Sequence, residues 1–565
     1  MSLNKNEPEM GKNFWLAMGL SMLVIFGYPA FLSWLHPPAP VPEVTESQKI
    51  QEATAVNEAV TESPLTDNAA RAQAVPMPGE SFIESIPPPV TIPFENDLYH
   101  LEFSTRGATI ARLRYKGAPS EDVTTQAVLY REKNPPSGLF GIRVLHDKED
   151  LTRSIFKASD EGDASQSRKF SFERAGEYRI EKEYVMGAKE PVILLSVFIE
   201  NLSTREQHFP LEILAGLSVD MKDQMSAQQN EAVVLTDKVE FANQGKLSKK
   251  GFDVAKEVVW AGAIKKYFAV LVKPDWKAVA FEARAEDDEI LTELRMEPIT
   301  LLPGESVTKQ FLIYAGPQHY ETLKNLGFGF ENILSKGFFG LFKVWLLISL
   351  KFLNRFTHNY GFAIILLTLL IKGLFAPLTH MSYKSMKKMQ AIQPKIKALQ
   401  DQYKKDPEKL NRETMELFKR NRVNPMAGCL PMLVQMPVLF AMFRLLPEAI
   451  ELKGAPFIWW IHDLSAPDQL VLFPFTVPFL GWTALNLLPI LMTVSQFWYQ
   501  KIMPQTTTAP EQAKIMAFMP IFFGFVCYNM PSGLVLYWFI QNLLSIIQQV
   551  FVNRIVVALH HEDRE

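Results

Sequence analysis

The sequence predicts a polytopic α-helical membrane protein with six transmembrane helices and a large β-sandwich domain outside the cytosol. Apolar stretches of span length occur near the N-terminus and throughout the C-terminal half of the 565-residue chain, and a long region of short alternating strands separates them. The formal net charge of -3 gives no signal for nucleic acid, so we expect no direct DNA binding. Both cysteines, Cys429 and Cys527, lie in apolar segments, so the sequence encodes no disulfide framework.

The first predicted span is the apolar run at residues 14–35, since about 20 residues are needed to cross a bilayer. Lys5 and Lys12 precede this run, and the next lysine or arginine is Lys49, which places residues 1–13 in the cytosol. A cleaved signal peptide is the alternative, but the run is long and no A-x-A site follows it. We therefore expect an uncleaved anchor.

A linker and a β domain follow the anchor. Residues 36–90 are rich in Pro, Glu, Thr and Ala, which predicts a flexible linker outside the cytosol. Residues 91–317 contain short apolar runs and turn signals such as Pro303-Gly304, which predicts the β-sandwich. Alternation typical of a half-buried strand is seen at Tyr178, Ile180, Tyr184 and Met186. The domain contains no hydrolase, phosphate-loop or metal-binding motif, so we predict no catalytic residue, no metal and no enzyme activity.

The C-terminal half contains five further runs of span character. The second predicted span covers residues 362–379, and four more lie within 425–552, at 425–446, 487–499, 515–530 and 534–552. The segment between residues 380 and 424 contains twelve basic and five acidic residues, and this basic excess places it in the cytosol.

The connector at residues 318–361 is expected on the outer side, because a single crossing most simply separates the β domain from the basic segment. Its apolar stretch at 338–356 contains Lys343, Lys351 and Arg355, so we interpret it as an amphipathic interfacial helix rather than a span. The short tail at 553–565 is expected in the cytosol, and its weak charge does not favour strong ribosome binding.

The basic segment 380–424 predicts a helical hairpin, because Met386, Met389, Ile392 and Ile396 recur at steps of three and four before a KKDPEK turn. Two interpretations stay open. The hairpin either stabilises the topology alone or is a docking surface for an incoming chain, a ribosome or a partner protein. The candidate docking residues are Lys387, Lys388, Lys395, Lys404 and Lys405.

Five motifs follow one another in the C-terminal half, and they read GFAIILLTLLIKGLFAPLTHMSYKSMKKMQAIQPKIKAL, VNPMAGCLPMLVQMPVLFAMF, APFIWWIHDLSAPD, KIMAFMPIFFGF and PSGLVLYWFIQNLLSIIQQ. Across residues 361–552 this order resembles the YidC family of membrane protein insertases, and the anchor with its β domain is similar to the Gram-negative form. The resemblance implies a five-helix insertase core around a polar groove, in the bacterial inner membrane, with the β domain in the periplasm and both termini in the cytosol. It also implies insertion without a cofactor.

Partners are implied by the same resemblance. They are nascent membrane proteins, the Sec translocon with its accessory proteins, and the lipid bilayer. The ribosome and the signal recognition particle receptor stay open as partners. Two other functions are also kept as alternatives, a solute transporter or channel in which Lys372 binds an anion, and a membrane assembly scaffold.

Lys372 lies within the apolar run LLTLLIKGLFAPLTH, where a charge costs about 2.5–3.5 kcal/mol on insertion scales. Such a charge is tolerable where it faces a water-filled cavity, and there it attracts an acidic or polar substrate tail. Snorkelling toward the cytosol is the alternative. The resemblance assigns Lys372 to the central positive charge of the groove, where most relatives have arginine. The candidate groove residues are Lys372, Thr368, Gln435, Gln541 and Ser545.

Met and Phe side chains form apolar stripes on two of the predicted spans. Flexible thioethers suit contact with many different apolar segments, although helix packing explains such stripes equally well. The resemblance implies substrate contacts at Leu433, Met436, Tyr537 and Trp538. The candidate substrate contacts are Leu433, Met436, Phe440, Met519, Phe522, Tyr537 and Trp538. The loop WWIHDLS, with His462 and Asp463, is expected to be structural. The role of the extended loop at 466–486 stays open.

Overall fold

A computed structural model of the protein describes residues 88–562, apart from 117–126, 133–137, 145–149, 160–165, 220–228, 287, 404–405, 422, 424–429, 478–480 and 503–509. The predicted anchor at 14–35 and nearly all of the linker lie outside the described residues.

Short antiparallel strands form the N-terminal part of the described chain. They are β1 Thr91–Glu95, β2 Tyr99–Ser104, β3 Thr109–Tyr115, β4 Ala127–Arg131, β5 Ile142–Val144, β6 Lys157–Ser159, β7 Ser167–Arg174, β8 Tyr178–Met186, β9 Val192–Asn201, β10 Gln207–Phe209, β11 Leu211–Ser218, β12 Glu231–Leu235, β13 Val239–Asn243, β14 Phe252–Val254, β15 Trp260–Lys265, β16 Phe268–Pro274, β17 Ala278–Glu286, β18 Glu289–Met296, β19 Ile299–Leu301 and β20 Ser306–Pro317.

These strands build a sandwich. A nine-stranded sheet has the order β13-β12-β15-β16-β20-β9-β8-β7-β6, and a five-stranded sheet has the order β14-β17-β18-β11-β5. The two sheets pack face to face, because β11 contacts β15 and β16. A four-stranded sheet, β1 to β4, extends this core, with the Phe103 ring 5.1 Å from that of Tyr184. The predicted β-sandwich is therefore confirmed.

Local sequence signals explain two of these elements. β8 alternates between buried and half-buried positions along its nine residues, which is the pattern the sequence predicts. Gly304 has a φ of 76° in the turn between β19 and β20, a conformation that favours glycine. Asp288 has a φ of 65° and directly precedes β18.

Helices dominate the rest of the chain. They are α1 Gln244–Lys250, α2 Tyr320–Asn325, α3 Gly340–Thr357, α4 Tyr360–Gln402, α5 Pro407–Arg420, α6 Leu430–Glu448, α7 Leu487–Ile502, α8 Pro510–Val526 and α9 Ser532–Glu562. Single 3₁₀ turns are formed by Phe330–Leu334 and Ile450–Leu452, and the loop between α6 and α7 contains two short strands, β21 Val471–Leu472 and β22 Ala484–Leu485.

Two helices in the described part of the chain are long and apolar enough to cross a membrane. They are α4 and the Ser532–Phe551 part of α9, and a shorter apolar helix segment covers Ala517–Val526. α6 and α7 occupy the positions predicted for two other spans. The count of six spans stays a prediction, because the anchor lies outside the described residues and no membrane is present in the structure.

One apolar core joins the helices of the C-terminal half. Leu350 of α3, Ile364 of α4, Leu445 of α6 and Leu488 of α7 all belong to it, together with Leu534 of α9. α4 starts at Asn359, whose side-chain oxygen accepts hydrogen bonds from the first backbone N–H groups of the helix. α4 is continuous through the predicted span and the first arm of the predicted hairpin, so these segments form one helix.

The second arm of the hairpin is α5. Met389, Ile392 and Ile396 of α4 are buried in a small cluster with Val423, and Leu417 and Phe418 pack against that cluster. The three-and-four spacing of the sequence thus corresponds to a real apolar seam between two helices.

Candidate functional site

Lys372 is half-buried on α4, and its Nζ donates a hydrogen bond to Ser545 Oγ on α9 at 2.7 Å. Ser545 Oγ in turn donates to the backbone oxygen of Gln541 at 2.7 Å. In the described part of the chain no carboxylate lies within 4.0 Å of Nζ. The positive charge is therefore held in place by a neutral acceptor and is not neutralised by an ion pair.

The other predicted groove residues differ in their contacts. Thr368 is fully buried, and its hydroxyl donates to the Ile364 carbonyl of its own helix at 2.6 Å. Its polar group is therefore satisfied within α4. Gln435 is half-buried on α6, and the structure does not join it to Lys372 by a hydrogen bond. The geometry thus brings Lys372, Ser545 and Gln541 together and leaves Thr368 and Gln435 apart from them.

A second polar contact lies between α9 and α7. Asn542 Nδ2 donates to Ser495 Oγ at 3.1 Å, and Ser495 donates to the Met492 carbonyl at 2.6 Å. Asn542 and Ser495 are both buried. Ser495 was not predicted as a site residue, although the dipeptide Ser495-Gln496 inside an apolar helix is a usable signal.

Some buried polar atoms among these helices lack a protein partner. Gln541 Oε1, Gln496 Oε1 and Tyr537 Oη accept or donate no hydrogen bond within the described residues. An unsatisfied buried polar group costs about 1–3 kcal/mol, so such groups are typical of sites that bind water or a polar chain. These atoms lie on α7 and α9, so the polar region between the helices includes more residues than Lys372 and Ser545.

The predicted substrate contacts also separate by exposure. Phe440, Met519 and Phe522 are exposed to the surroundings of the helices. Met436 and Trp538 are half-buried, and Trp538 packs edge-on against Phe443 with ring centroids 5.3 Å apart. Tyr537 is buried, and the side chain of Leu433 lies outside the described part of the chain.

The predicted docking lysines lie on the hairpin. Lys388 and Lys395 are exposed on α4, and Lys387 is half-buried. Lys404 and Lys405 lie outside the described residues. No carboxylate among the described residues pairs with the first three, so their charges face solvent.

Comparisons with known proteins cover both halves of the chain. Residues 352–559 match the family described as 60Kd inner membrane protein, and residues 91–348 match the family described as YidC periplasmic domain. A relative from Syntrophus aciditrophicus, named membrane protein insertase YidC, is 34% identical over 96% of this chain and 100% of its own length. The chain belongs to the YidC family. The β-sandwich is therefore the periplasmic domain of an inner membrane protein.

Two further relatives have the same name, membrane protein insertase YidC. A YidC relative from Geotalea daltonii is 42% identical over 58% of this chain and 58% of its own length, and one from Pelobacter propionicus is 44% identical over 53% and 55%. The matched region covers little more than half the length of each of these two relatives. A solved structure of an active YidC insertase is 18% identical, covers 82% of this chain and 95% of its own, and has a TM-score of 0.35.

The YidC family inserts proteins into membranes, and its members are insertases rather than enzymes in the usual sense. A galactose mutarotase-like protein from Lactobacillus casei resembles 40% of this chain and 100% of its own at 14% identity, with a TM-score of 0.30.

The periplasmic domain of this YidC family member contains a buried lysine that the sequence analysis missed. Lys182 is fully buried on β8, at a position that the alternation assigns to the core. Its Nζ donates to the backbone oxygens of Gly107, Ala108 and Phe140 at 3.0, 2.7 and 2.7 Å. Burial lowers the pKa of Lys182 well below its usual value. Because its donors are used by the protein itself, Lys182 is a structural residue.

A charged cluster joins the periplasmic domain to the helices. Glu451 Oε1 lies 3.5 Å from His319 Nδ1 and 3.5 Å from Lys351 Nζ, and Lys351 also pairs with Glu321 at 2.6 Å. Burial opposes ionisation of Glu451, but the close contact with His319, a hydrogen bond from its own backbone and the charge of Lys351 together lower its pKa below the usual value. The cluster therefore stabilises this junction while Glu451 is ionised.

The loop WWIHDLS is structural, as expected. Asp463 Oδ1 accepts a hydrogen bond from the backbone N–H of Ser465 at 2.7 Å. Nearby, Asp468 Oδ2 accepts from Trp460 Nε1 at 2.8 Å and from the backbone N–H groups of Leu487 and Leu488 at 2.9 Å each. Asp468 thereby caps the start of α7. This role of Asp468 was not predicted from the sequence, because its partners are 19 and 20 residues away along the chain.

Proposed function

We propose that this protein inserts nascent membrane proteins into the inner membrane through a polar groove built around Lys372. One observation carries the proposal. A half-buried ammonium group is held by a serine hydroxyl on the neighbouring helix, without a counter-charge among the described residues. Such a charge gains free energy from an anionic or polar group that enters the site, because the low local dielectric strengthens their attraction.

The proposed arrangement in the membrane has six spans and both termini in the cytosol. The segment at 14–35 is the anchor, residues 362–379 of α4 are the second span, and four spans lie within 425–552. The hairpin of α4 and α5 then stands in the cytosol, in agreement with its excess of basic residues. Insertion alone or with the Sec translocon is proposed, with the ribosome and the signal recognition particle receptor as candidate partners at the hairpin.

Insertion proceeds in three physical steps under this proposal. Exposed Lys388 and Lys395 on the hairpin attract the incoming chain or its carrier. Lys372, with the polar groups of Gln541 and Ser545, then lowers the cost of moving a polar or acidic tail through the helices. The apolar segment leaves sideways, because each of its residues gains a few tenths of a kcal/mol in the bilayer.

The exit surface is proposed at the exposed apolar side chains Phe440, Met519 and Phe522. Exposed Met and Phe side chains adapt to many partner shapes, which an insertase with varied substrates requires. Trp538 borders this surface through its contact with Phe443. The buried side chain of Tyr537 makes contact with substrate only after the helices move apart.

The test is insertion of a single-span protein with an acidic periplasmic tail into liposomes that contain only the purified protein. We expect Lys372→Arg to retain insertion and Lys372→Ala to lose about tenfold, the effect of one charge-assisted contact. Lys372→Glu should lose more, because it repels the tail. Ser545→Ala should lose less than Lys372→Ala, because the charge remains. Lys501→Ala, which removes a lysine from the last turn of α7, is the matched control and should insert like wild type.

Three results separate the alternatives. Equal insertion by wild type and Lys372→Ala for acidic and neutral tails alike rejects the groove charge. Leakage of small anions by wild type without insertion favours the transporter or channel. Loss of partner binding with intact insertion, after changes in the periplasmic domain, favours a scaffold role for that domain.

A further inference from the structure

A cavity of about 260 Å³ lies where the periplasmic domain meets the outer end of α6. Its walls come from the β15–β16 hairpin, from the connector before α3 and from the last turn of α6, with Lys266, Lys336, Lys343 and Arg444 among them. This site is distinct from the groove, since Lys372 and Ser545 do not line it. The family comparison places residues 91–348 in the periplasmic domain, so the cavity is on the outer side of the membrane.

The cavity carries an excess of positive charge. Lys336 pairs with Glu231, and Lys343 pairs with Glu448, so two of its four cations are neutralised within the wall. Lys266 and Arg444 have no carboxylate within 4.0 Å among the described residues. Both residues line the cavity, so an anion inside it is attracted by two cations that no carboxylate neutralises.

The surroundings of the cavity are apolar on one side. α3 starts at its wall, with Phe339 and Gly340 in the lining. From there a stripe of exposed apolar side chains runs along α3 at steps of three and four, while its opposite face is buried against α4 and α6. The stripe consists of Phe338, Leu341, Phe342, Trp345, Ile348, Phe352 and Phe356. Such a face is typical of a helix that lies in a lipid interface.

We propose that this cavity binds the phosphate of an outer-leaflet glycerophospholipid, with its acyl chains against the apolar stripe of α3. Lys266 and Arg444 supply the positive charges, and the guanidinium group of Arg444 offers the paired donors that suit phosphate oxygens. The apolar stripe next to the cations favours a lipid over a soluble phosphate, because only a lipid uses both surfaces. A lipid bound there connects the periplasmic domain with α3 and α6.

The experiment measures binding of fluorescent phosphatidylglycerol to the purified full-length protein in a non-ionic detergent. The double variant Lys266→Gln with Arg444→Gln should bind at least about tenfold more weakly, since two charge-assisted contacts are lost. The control is Lys250→Gln with Arg205→Gln, which removes one exposed lysine and one exposed arginine away from both the cavity and α3. The control should bind like wild type, which separates a site from general charge attraction. Equal thermal unfolding of both variants shows that each is folded.

Two probes distinguish the source of the phosphate. Diacylglycerol, which lacks phosphate, should not displace the labelled lipid, and millimolar inorganic phosphate should displace it only weakly. Complete displacement by inorganic phosphate overturns the lipid assignment in favour of a soluble anion. Unchanged lipid binding by the double variant, or full competition by diacylglycerol, overturns the site altogether. A photoreactive amino acid in place of Phe339 should crosslink to the lipid in wild type and less in the double variant.

Discussion

Replacing Lys182 by methionine should destabilise the periplasmic domain strongly, although it exchanges a buried charged side chain for an apolar one of similar length. The Lys182 Nζ donates to three backbone oxygens, and these carbonyls belong to Gly107, Ala108 and Phe140. Ala108 keeps a second donor, the Tyr184 hydroxyl at 2.7 Å. The methionine variant therefore deprives two buried carbonyls, those of Gly107 and Phe140, of their principal side-chain donor.

The expected loss follows from that count. A buried acceptor left without a donor costs about 1–3 kcal/mol, so two of them cost about 2–5 kcal/mol after a small gain from the apolar side chain. This loss is a large part of the free energy of unfolding of a typical domain, which is about 5–15 kcal/mol. The change should concentrate in β8 and in the segments that contain Gly107 and Phe140.

Hydrogen exchange of the full-length protein in detergent, read by mass spectrometry, measures this loss. Peptides from β8 should exchange faster in Lys182→Met at pH 7 than in wild type. The matched control is Lys277→Met, which changes an exposed lysine 3.7 Å from Glu257 and should stay within about 0.5 kcal/mol of wild type.

The pH dependence gives a second measurement. Because burial lowers the pKa of Lys182, the unfolded chain binds more protons than the folded one between the folded value and the ordinary value of 10.5. Wild-type stability should therefore rise with pH in that window, relative to Lys182→Met. Exchange rates equal to wild type in Lys182→Met would refute the argument that Nζ supports these carbonyls.

Two other predictions concern the helices and the junction. A Cβ at Gly524 comes within 2.1 Å of Thr493 Oγ1, whose hydroxyl is held by a backbone hydrogen bond. Gly524→Ala should therefore cost about 1–3 kcal/mol and lower the thermal unfolding midpoint, whereas Gly373→Ala, whose Cβ meets no atom within 4 Å, should not. The pKa of Glu451 is lowered, so the stability that its ionised carboxylate contributes is fully present above the ordinary pKa of 4.5 and is lost as pH falls through the folded value. Hydrogen exchange near the junction should then rise on acidification.

Each of these has its own contrary result. A lower midpoint for both glycine variants indicates a general effect of the added methyl group rather than a clash between α7 and α8. For the junction, Glu451→Gln should exchange fast at every pH and lose the acid-dependent rise. A rise of the same size in Glu451→Gln assigns the effect to other groups.

Much of the fold was predictable because it depends on local periodicity. The alternation in β8 and the three-and-four spacing of Met389, Ile392 and Ile396 each describe one face of one element. The same rule failed at Lys182, because a charged residue at an inward position reads as a polar face. Its burial is possible only because three carbonyls from distant turns converge on it.

The candidate site was predictable in part. Lys372 stands out as a charge in an apolar run, and Ser545 follows from the polar spacing on the last span. The hydrogen bond between them joins residues 173 apart in the chain, so only the packed helices reveal it. Asp468 and Arg444 were not selected for the same reason, since a cap and a cavity are made by segments that meet only in the folded protein.

α4 has a mechanical consequence. Its 43 residues, at about 1.5 Å each, make a rod of about 65 Å that carries both Lys372 and the basic hairpin arm. The helix lacks one backbone hydrogen bond at each of two prolines. Pro377 has no N–H to donate to the carbonyl of Gly373, which is next to Lys372, and Pro394 lacks the same bond in the hairpin arm. Because a missing backbone hydrogen bond makes bending easier, we expect a displacement of the hairpin to reach the segment around Lys372 mainly as bending of α4 at Pro377.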